Sequence, residues 1–167
     1  MDDTRSYRDT VHRYVGRAVR LLLPVELPYV YEHFQKYLPD SWRNPGPFTL
    51  LFSRRDCLFF RLGEAPLPSG CLFLTDIVPG WKATLHVSIW EKDMRGLGKK
   101  GVVYDFLTWL IDFVGVIRIE ALVPTDNIIA HRYAERAGLH REGVLRKGGA
   151  FDGVLKDLVI YGRLKED

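Results

Sequence analysis

The sequence predicts an α+β domain built on a mixed, mostly antiparallel sheet with flanking helices. Three observations carry this. Four β-branched and aromatic runs follow one another between residues 48 and 90 with no helical period separating them. Residues 99–114 then form an amphipathic helix, followed directly by a strand-like run. A pair of strand-like runs closes the chain around the turn-rich KGGAFDG.

Taken in order, residues 17–23 read as a short strand ended by Pro24. Residues 27–38 repeat apolar side chains at helical spacing through Leu27, Val30, Tyr31, Phe34 and Leu38. Residues 39–47 and 63–70 are the most loop-like stretches. Strands are predicted at 48–52, 57–62, 71–78 and 84–90. In the helix over 99–114, Val102, Val103, Phe106, Leu107, Leu110, Ile111 and Val114 share one face, opposite Lys99, Asp105, Thr108 and Asp112. Residues 116–123 form a strand stopped by Pro124. Asp126 or Asn127 can cap the next helix, whose apolar face is Ile129, Ala130, Tyr133, Ala134 and Ala137, with Gly138 as its C-terminal stop. Strands over 139–146 and 154–164 complete the order.

The 167 residues suit one domain, spanning 1–167 with a core over about 17–164; such a chain buries about 70% of its extended surface. Hydrophobic residues make up 47% and charged ones 27%, which excludes a disordered chain. The excess of 24 Lys and Arg over 21 Asp and Glu is +3. That balance permits an anionic ligand but makes nucleic acid an unfavoured partner. Arg5, Arg8, Arg13, Arg17 and Arg20 read as a solvated basic face. Two cysteines, Cys57 and Cys71, cannot build a disulfide framework or a four-cysteine zinc site; they read as buried free thiols, and no metal is expected. The polar N-terminal decapeptide lacks a signal-peptide core, and no apolar run reaches membrane-spanning length. The expectation is a soluble cytoplasmic protein with no membrane partner.

The chemistry concentrates in residues 84–101, TLHVSIWEKDMRGLGKKG: a strand, a polar turn, a glycine-containing loop and the start of the long helix. Gly96, Gly98 and Gly101 allow close backbone approach, and a helix N-terminus offers unpaired N–H groups to an anion. Arg95, Lys99 and Lys100 add positive charge. The alternative is a tight corner with no ligand. GLGKKG lacks the spacing of a nucleoside-triphosphate loop. It matches G-x-G-x-x-G literally, but the meandering strands before it are wrong for a dinucleotide fold.

These residues resemble the GNAT superfamily of acyl-CoA-dependent N-acetyltransferases. The family motif Q/R-x-x-G-x-G/A is matched by Arg95 and Gly98, with Lys100 where Gly or Ala is usual. Arg118-Ile119-Glu120-Ala121, then Asn127 and Ala130, then Glu135-Arg136-Ala137-Gly138-Leu139 are similar to the family's later motifs, in the same order. The C-terminal segment resembles the branch that acetylates ribosomal-protein N-termini and related amines.

The resemblance implies a sheet splayed at an acetyl-CoA cleft. It implies backbone groups at Ser88 and Trp90 on the pantetheine arm, and amides of Gly96, Leu97, Gly98, Lys99, Lys100 and Gly101, beside Arg95, on the pyrophosphate. Asn127 would reach the arm, cap its helix, or do both. Arg132 would meet phosphate or solvent. The reaction implied is direct attack of an amine on the thioester, which needs a base. His86 shares a strand face with Thr84 and Ser88 and is one candidate, against a structural histidine; Glu120 is the other, against a structural carboxylate. Glu91 and Asp93 read as solvent-facing. The family's usual tyrosine acid falls at Ala134, with Tyr133 one residue earlier. Tyr29, Tyr31, His33 and Trp42 are candidates for the acceptor pocket. A small-molecule amine or a peptide N-terminus is the expected acceptor, and exposed strands would suit a homodimer. The alternative function is a CoA-binding module of this fold without turnover.

Overall fold

A computed structural model describes residues 19–64, 66–91 and 101–167. Among them a seven-stranded sheet runs in the order β1-β2-β3-β4-β5-β7-β6. The strands are β1 (Val19–Leu21), β2 (Leu58–Leu62), β3 (Gly70–Val78), β4 (Lys82–Ile89), β5 (Arg118–Pro124), β6 (His140–Phe151) and β7 (Val154–Leu164). Every neighbouring pair is antiparallel except β4 and β5, which are parallel. The helices are α1 (Leu27–Phe34), α2 (Pro45–Ser53), α3 (Val102–Val114) and α4 (Ile128–Arg136). The mixed sheet and its helices agree with the α+β prediction.

Strand alternation sends successive side chains to opposite layers. Phe60, Leu72, Leu74 and Leu85 join Val103, Phe106, Leu107 and Leu110 of α3 in one core. Phe59, Cys71 and Phe73 join Val30 and Phe34 of α1 and Phe48 and Leu51 of α2 in the other. Phe59 and Phe73 stack at 4.7 Å between ring centroids. Trp109 is buried as well, so the apolar face of α3 is wider than the seven positions read from its period.

Residues 48–52 are helix, not strand. A short apolar run does not distinguish the two by periodicity. Here Pro45 opens α2 where a missing N–H is harmless, and Phe48 and Leu51, three apart, land together on the sheet. The helix expected over 27–38 stops at Phe34 and continues as a single 3-10 turn, Gln35–Tyr37. KGGAFDG is mostly strand. β6 runs to Phe151, and only Asp152 (φ 53°) and Gly153 (φ 72°) turn the hairpin, the two left-handed residues a tight type I′ connection needs. A bulge between Leu145 and Gly149 takes up the extra length. Gly138 does end its helix segment, at φ 82°, where a Cβ would meet the Tyr104 ring. Ile129, placed by spacing on the apolar face of α4, is 77% exposed, while Ala134 and Ala137 are buried.

One buried charge cluster anchors β1 and β2. Glu26 receives a bidentate pair of hydrogen bonds from Arg20 at 2.8 and 3.1 Å, and another from Arg61 at 2.6 Å. Arg20, the one member of the N-terminal basic series among the described residues, is therefore a partner of Glu26. The thiols Cys57 and Cys71 are free and buried; burial pushes Cys57 up to about 11 and raises Cys71 as well.

Candidate active site

β4 and β5 stay paired over only three steps, Lys82↔Arg118, Ala83↔Ile119 and Thr84↔Glu120. Beyond them β4 follows β3 to Ile89, while β5 follows β7 to Pro124. The strands part, and a cleft of about 290 Å³ opens between them. It reaches both layers: Phe34, Tyr37, His86 and Ser88 line one side, and Val103, Tyr133, Ala134 and Ala137 the other. No Asp, Glu, Lys or Arg is among its described lining residues.

Backbone direction follows from alternation. The Trp81 carbonyl accepts N–H bonds from Ile117 and Arg118, both 2.9 Å, so it faces β5. Two-residue steps then turn the backbones of Ala83, Leu85 and Val87 the same way. At the other end the Trp90 N–H donates to the Ser69 carbonyl at 3.1 Å, on the β3 side, and the Ser88 carbonyl likewise lies against Gly70. The backbone edge presented to the cleft therefore belongs to Leu85, Val87 and Ile89. This corrects the expectation for Ser88 and Trp90, whose main chains are turned toward β3. Ser88 still lines the cleft through its side of the strand. Trp90 packs away from it: its indole Nε1 donates to the Pro68 carbonyl at 2.8 Å and its ring stacks on His33.

His86 does line the cleft. Its ring stacks on Phe73 at 4.4 Å and meets the Trp42 edge at 5.1 Å, while Nε2 lies 3.1 Å from Thr75 Oγ1. Burial disfavours its charged form and pushes its pKa down to about 4, so at neutral pH it is an uncharged imidazole.

Glu120 lies outside the cleft lining. Lys82 Nζ reaches its Oε1 at 2.7 Å, Arg118 Nε its Oε2 at 3.2 Å, and Thr84 Oγ1 donates at 3.4 Å. Burial alone would raise its pKa, but the hydrogen bonds from Lys82 and Arg118 outweigh it and hold the carboxyl below its usual value. Arg118 in turn holds Glu142 through two bonds of 2.8 and 2.6 Å. This is a charge network riveting the last paired steps of β4 and β5.

Asn127 is both cap and wall. Its Oδ1 accepts from the Ala130 N–H at 3.2 Å, and the residue lines the cleft. Tyr133 and Ala134 both line it too, so one turn of α4 presents a phenol and a methyl there. Arg132 and Glu91 are exposed. Gly101, at φ 99°, precedes α3 and has no side chain to cap it; the first N–H bonded back to it is that of Asp105, at 3.3 Å. Arg95, Gly96, Leu97, Gly98, Lys99 and Lys100, with Asp93, lie outside the described residues.

Of the acceptor candidates, Trp42 touches His86, and Tyr31 donates its hydroxyl to the Arg43 carbonyl. Tyr29 and His33 pack with Trp90. The hairpin tip folds over this layer: Asp40 accepts the N–H groups of Asp152 and Gly153 at 3.0 and 2.9 Å, and Arg43 pairs with Asp152 at 2.5 Å. Phe34 and Tyr37, absent from the sequence-based candidates, line the cleft because α1 ends there; nothing in their local pattern marks them. Among the described residues, no three His, Cys, Asp or Glu side chains converge to hold a metal, and no helix is long and apolar enough to cross a membrane.

No protein-family model matches the chain. It is 29% identical over 103 residues to Probable N-acetyltransferase YjcK of Bacillus subtilis (strain 168), covering 59% of this chain and 55% of that protein. The chain thus spans about half the length of this curated relative. The ribosomal-protein-S5-alanine acetyltransferase of Vibrio fischeri superposes with a TM-score of 0.69 at 16% identity, over 89% of this chain and 93% of that one. The ribosomal L7/L12 alpha-N-protein acetyltransferase RimL, solved with coenzyme A, gives 0.70 at 16% identity over 92% and 98%. Spermidine N-acetyltransferase from Vibrio cholerae, solved with CoA and spermine, gives 0.69 at 16% identity over 89% and 95%. The chain has the fold of the GNAT acetyltransferases.

Proposed function

We propose that the chain is an N-acetyltransferase carrying an acetyl group from acetyl-CoA to a primary amine, either a protein N-terminus or a small-molecule amine. The observation that carries this reading is the opening between β4 and β5, reached from both layers of the fold. A donor entering beside α3 and α4 can there meet an acceptor entering beside α1 across a single gap.

The residues fit the donor. A pantetheine arm is a chain of amides and methylenes. The Leu85 and Val87 main chain offers the amides a strand edge facing the gap, and the uncharged walls suit the methylenes. The N-terminus of α3 after Gly101, with Arg95, Lys99 and Lys100, would hold the pyrophosphate. Asn127 would reach the arm from the start of α4. RimL and the spermidine enzyme, each solved with CoA, support the same cosubstrate here.

Acetyl-CoA supplies the electrophile: the amine nitrogen bonds the acyl carbon, the carbon–sulfur bond breaks, and sulfur departs as the thiolate. The chain's part is to place the amine and take its proton. His86, uncharged and in the cleft, accepts a proton that the nitrogen sheds as it becomes positive during attack. With its pKa near 4 it is too weak to strip a resting alkylammonium, so the amine must arrive neutral. Tyr133 is the hydroxyl that α4 brings to the same walls.

Ala134, without a hydroxyl where the resemblance expects a tyrosine, favours a second reading, a CoA-binding module without turnover. Thermal stabilisation by acetyl-CoA and CoA against unrelated nucleotides, followed by thiol release over a panel of amines and N-terminal peptides, decides between them. Absence of any shift refutes the cosubstrate. A shift without thiol release selects the binding module.

A further inference from the structure

Behind His86 stands a second pair of residues whose geometry fixes which ring nitrogen carries its proton. Thr75 is 1% exposed, and its Oγ1 makes two contacts: Asp76 Oδ2 at 2.9 Å and His86 Nε2 at 3.1 Å. A hydroxyl has one proton to give. The Asp76 carboxylate can only accept, so that proton goes to Asp76. The bond to the ring must then run the other way, from His86 Nε2–H to Thr75 Oγ1. Nε2 is thus the protonated nitrogen, and the acceptor lone pair sits on Nδ1.

Asp76 is placed for this task at some conformational cost. It sits in the bulge of β3 between Thr75 and Val78, at φ 52°, in the left-handed region where non-glycine residues are uncommon. That twist sets its carboxylate beside the side chain of its own neighbour. Arg54, 3.6 Å away, stands behind it. Through Thr75 the ring thus reaches the Asp76 carboxylate, with Arg54 behind it, while Phe73 and Trp42 pack against the ring itself.

We propose that Thr75 and Asp76 are positioning residues that lock His86 as the Nε2–H tautomer, leaving Nδ1 to accept the proton of the acceptor amine. The catalytic half of this statement rests on the acetyl-transfer reading; the tautomer does not. In the step, one N–H bond of the amine breaks and one N–H bond forms at Nδ1. The imidazolium so made keeps its Nε2–H on Thr75, whose hydroxyl stays on the Asp76 carboxylate, so the positive charge faces a negative group through one oxygen.

The test is two-bond ¹H–¹⁵N correlation NMR of the full chain, which separates Nε2–H from Nδ1–H imidazoles, with His86→Gln identifying the signal. The Nε2–H form is expected in the parent protein and in Thr75→Ser. Thr75→Val, nearly isosteric, should lose that preference and lower kcat at least about 10-fold with KM unchanged, with Thr75→Ser restoring both. An Nδ1–H signal in the parent overturns the proposal, as does a Thr75→Val protein with unchanged tautomer and kcat. An Nε2–H signal that Thr75→Val abolishes, in a protein with no turnover on any acceptor, upholds the lock and refutes the acetyl-transfer reading instead.

Discussion

Thr84 and Glu120 are the last residues at which β4 and β5 remain in register, and their side chains touch there, Thr84 Oγ1 donating to Glu120 Oε1 at 3.4 Å. One step further the strands separate and the cleft begins. The charge network around Glu120 therefore sits at the apex of the opening, where pairing forces are about to be lost.

Glu120→Gln tests that role. Removing the charge leaves Lys82 and Arg118 without their shared counter-charge and should lower stability by about 1–3 kcal/mol, measured by urea unfolding. Because folding holds its pKa below the usual value, its contribution is present above about pH 4.5 and is lost as pH falls through the lower folded value. A kcat loss of about 10²-fold or more in a protein that stays folded would return this carboxylate to the chemistry.

Ala134 forms part of the cleft wall and is buried. Ala134→Phe should fill the donor side while circular dichroism stays unchanged. The parent protein at 100 times Kd should gain about 2.7 kcal/mol from CoA. The variant should gain none, and a full thermal shift would place the cosubstrate elsewhere.

His86 makes a separate prediction about acid stability. Its folded pKa of about 4 lies below its ordinary 6.5, so between these values the unfolded chain binds a proton that the folded chain refuses. Stability must then fall as pH drops from about 6.5 to about 4, by roughly 3 kcal/mol. His86→Gln should flatten that window in thermal melts taken across it. An unchanged slope would show that His86 is not the group responsible.

Glu26 holds Arg61, which is 2% exposed, together with Arg20. Burial pushes its pKa up, but the hydrogen bonds from Leu23 N–H, Arg61 and Arg20 outweigh this and keep the carboxyl ionised. Glu26→Gln leaves a buried guanidinium short of its counter-charge and should cost about 3 kcal/mol in chemical denaturation. The same loss should appear in the parent protein on acidification below about pH 4.5. A melt within about 0.5 kcal/mol of the parent would mean Arg61 is satisfied by its other contacts.

Much of the fold was legible because local pattern and tertiary environment agree. The alternation of Phe59 with Phe60, and of Phe73 with Leu72 and Leu74, follows the two layers they enter. The amphipathic period of α3 and the stop at Gly138 work the same way. Residues 48–52 misled because five apolar and β-prone positions satisfy a strand as well as a helix; packing of Phe48 and Leu51 on the sheet resolved it. In the site, His86 and Asn127 could be picked from strand face and cap position. Leu85 and Val87 could not: side-chain identity says nothing about which way a main chain faces until its neighbour is known.

The sequence by itself determined the strands and helices outside residues 48–52, the mixed sheet and the GNAT resemblance, since these depend on short-range periodicity and ordered motifs. Only the tertiary structure decided where β4 leaves β5, that Glu120 is committed to Lys82 and Arg118, and that His86 is an uncharged ring backed by Thr75. These depend on strands brought side by side by the fold, as Lys82 is to Glu120 and Thr75 to His86, and on the loss of water around them, which no local pattern encodes.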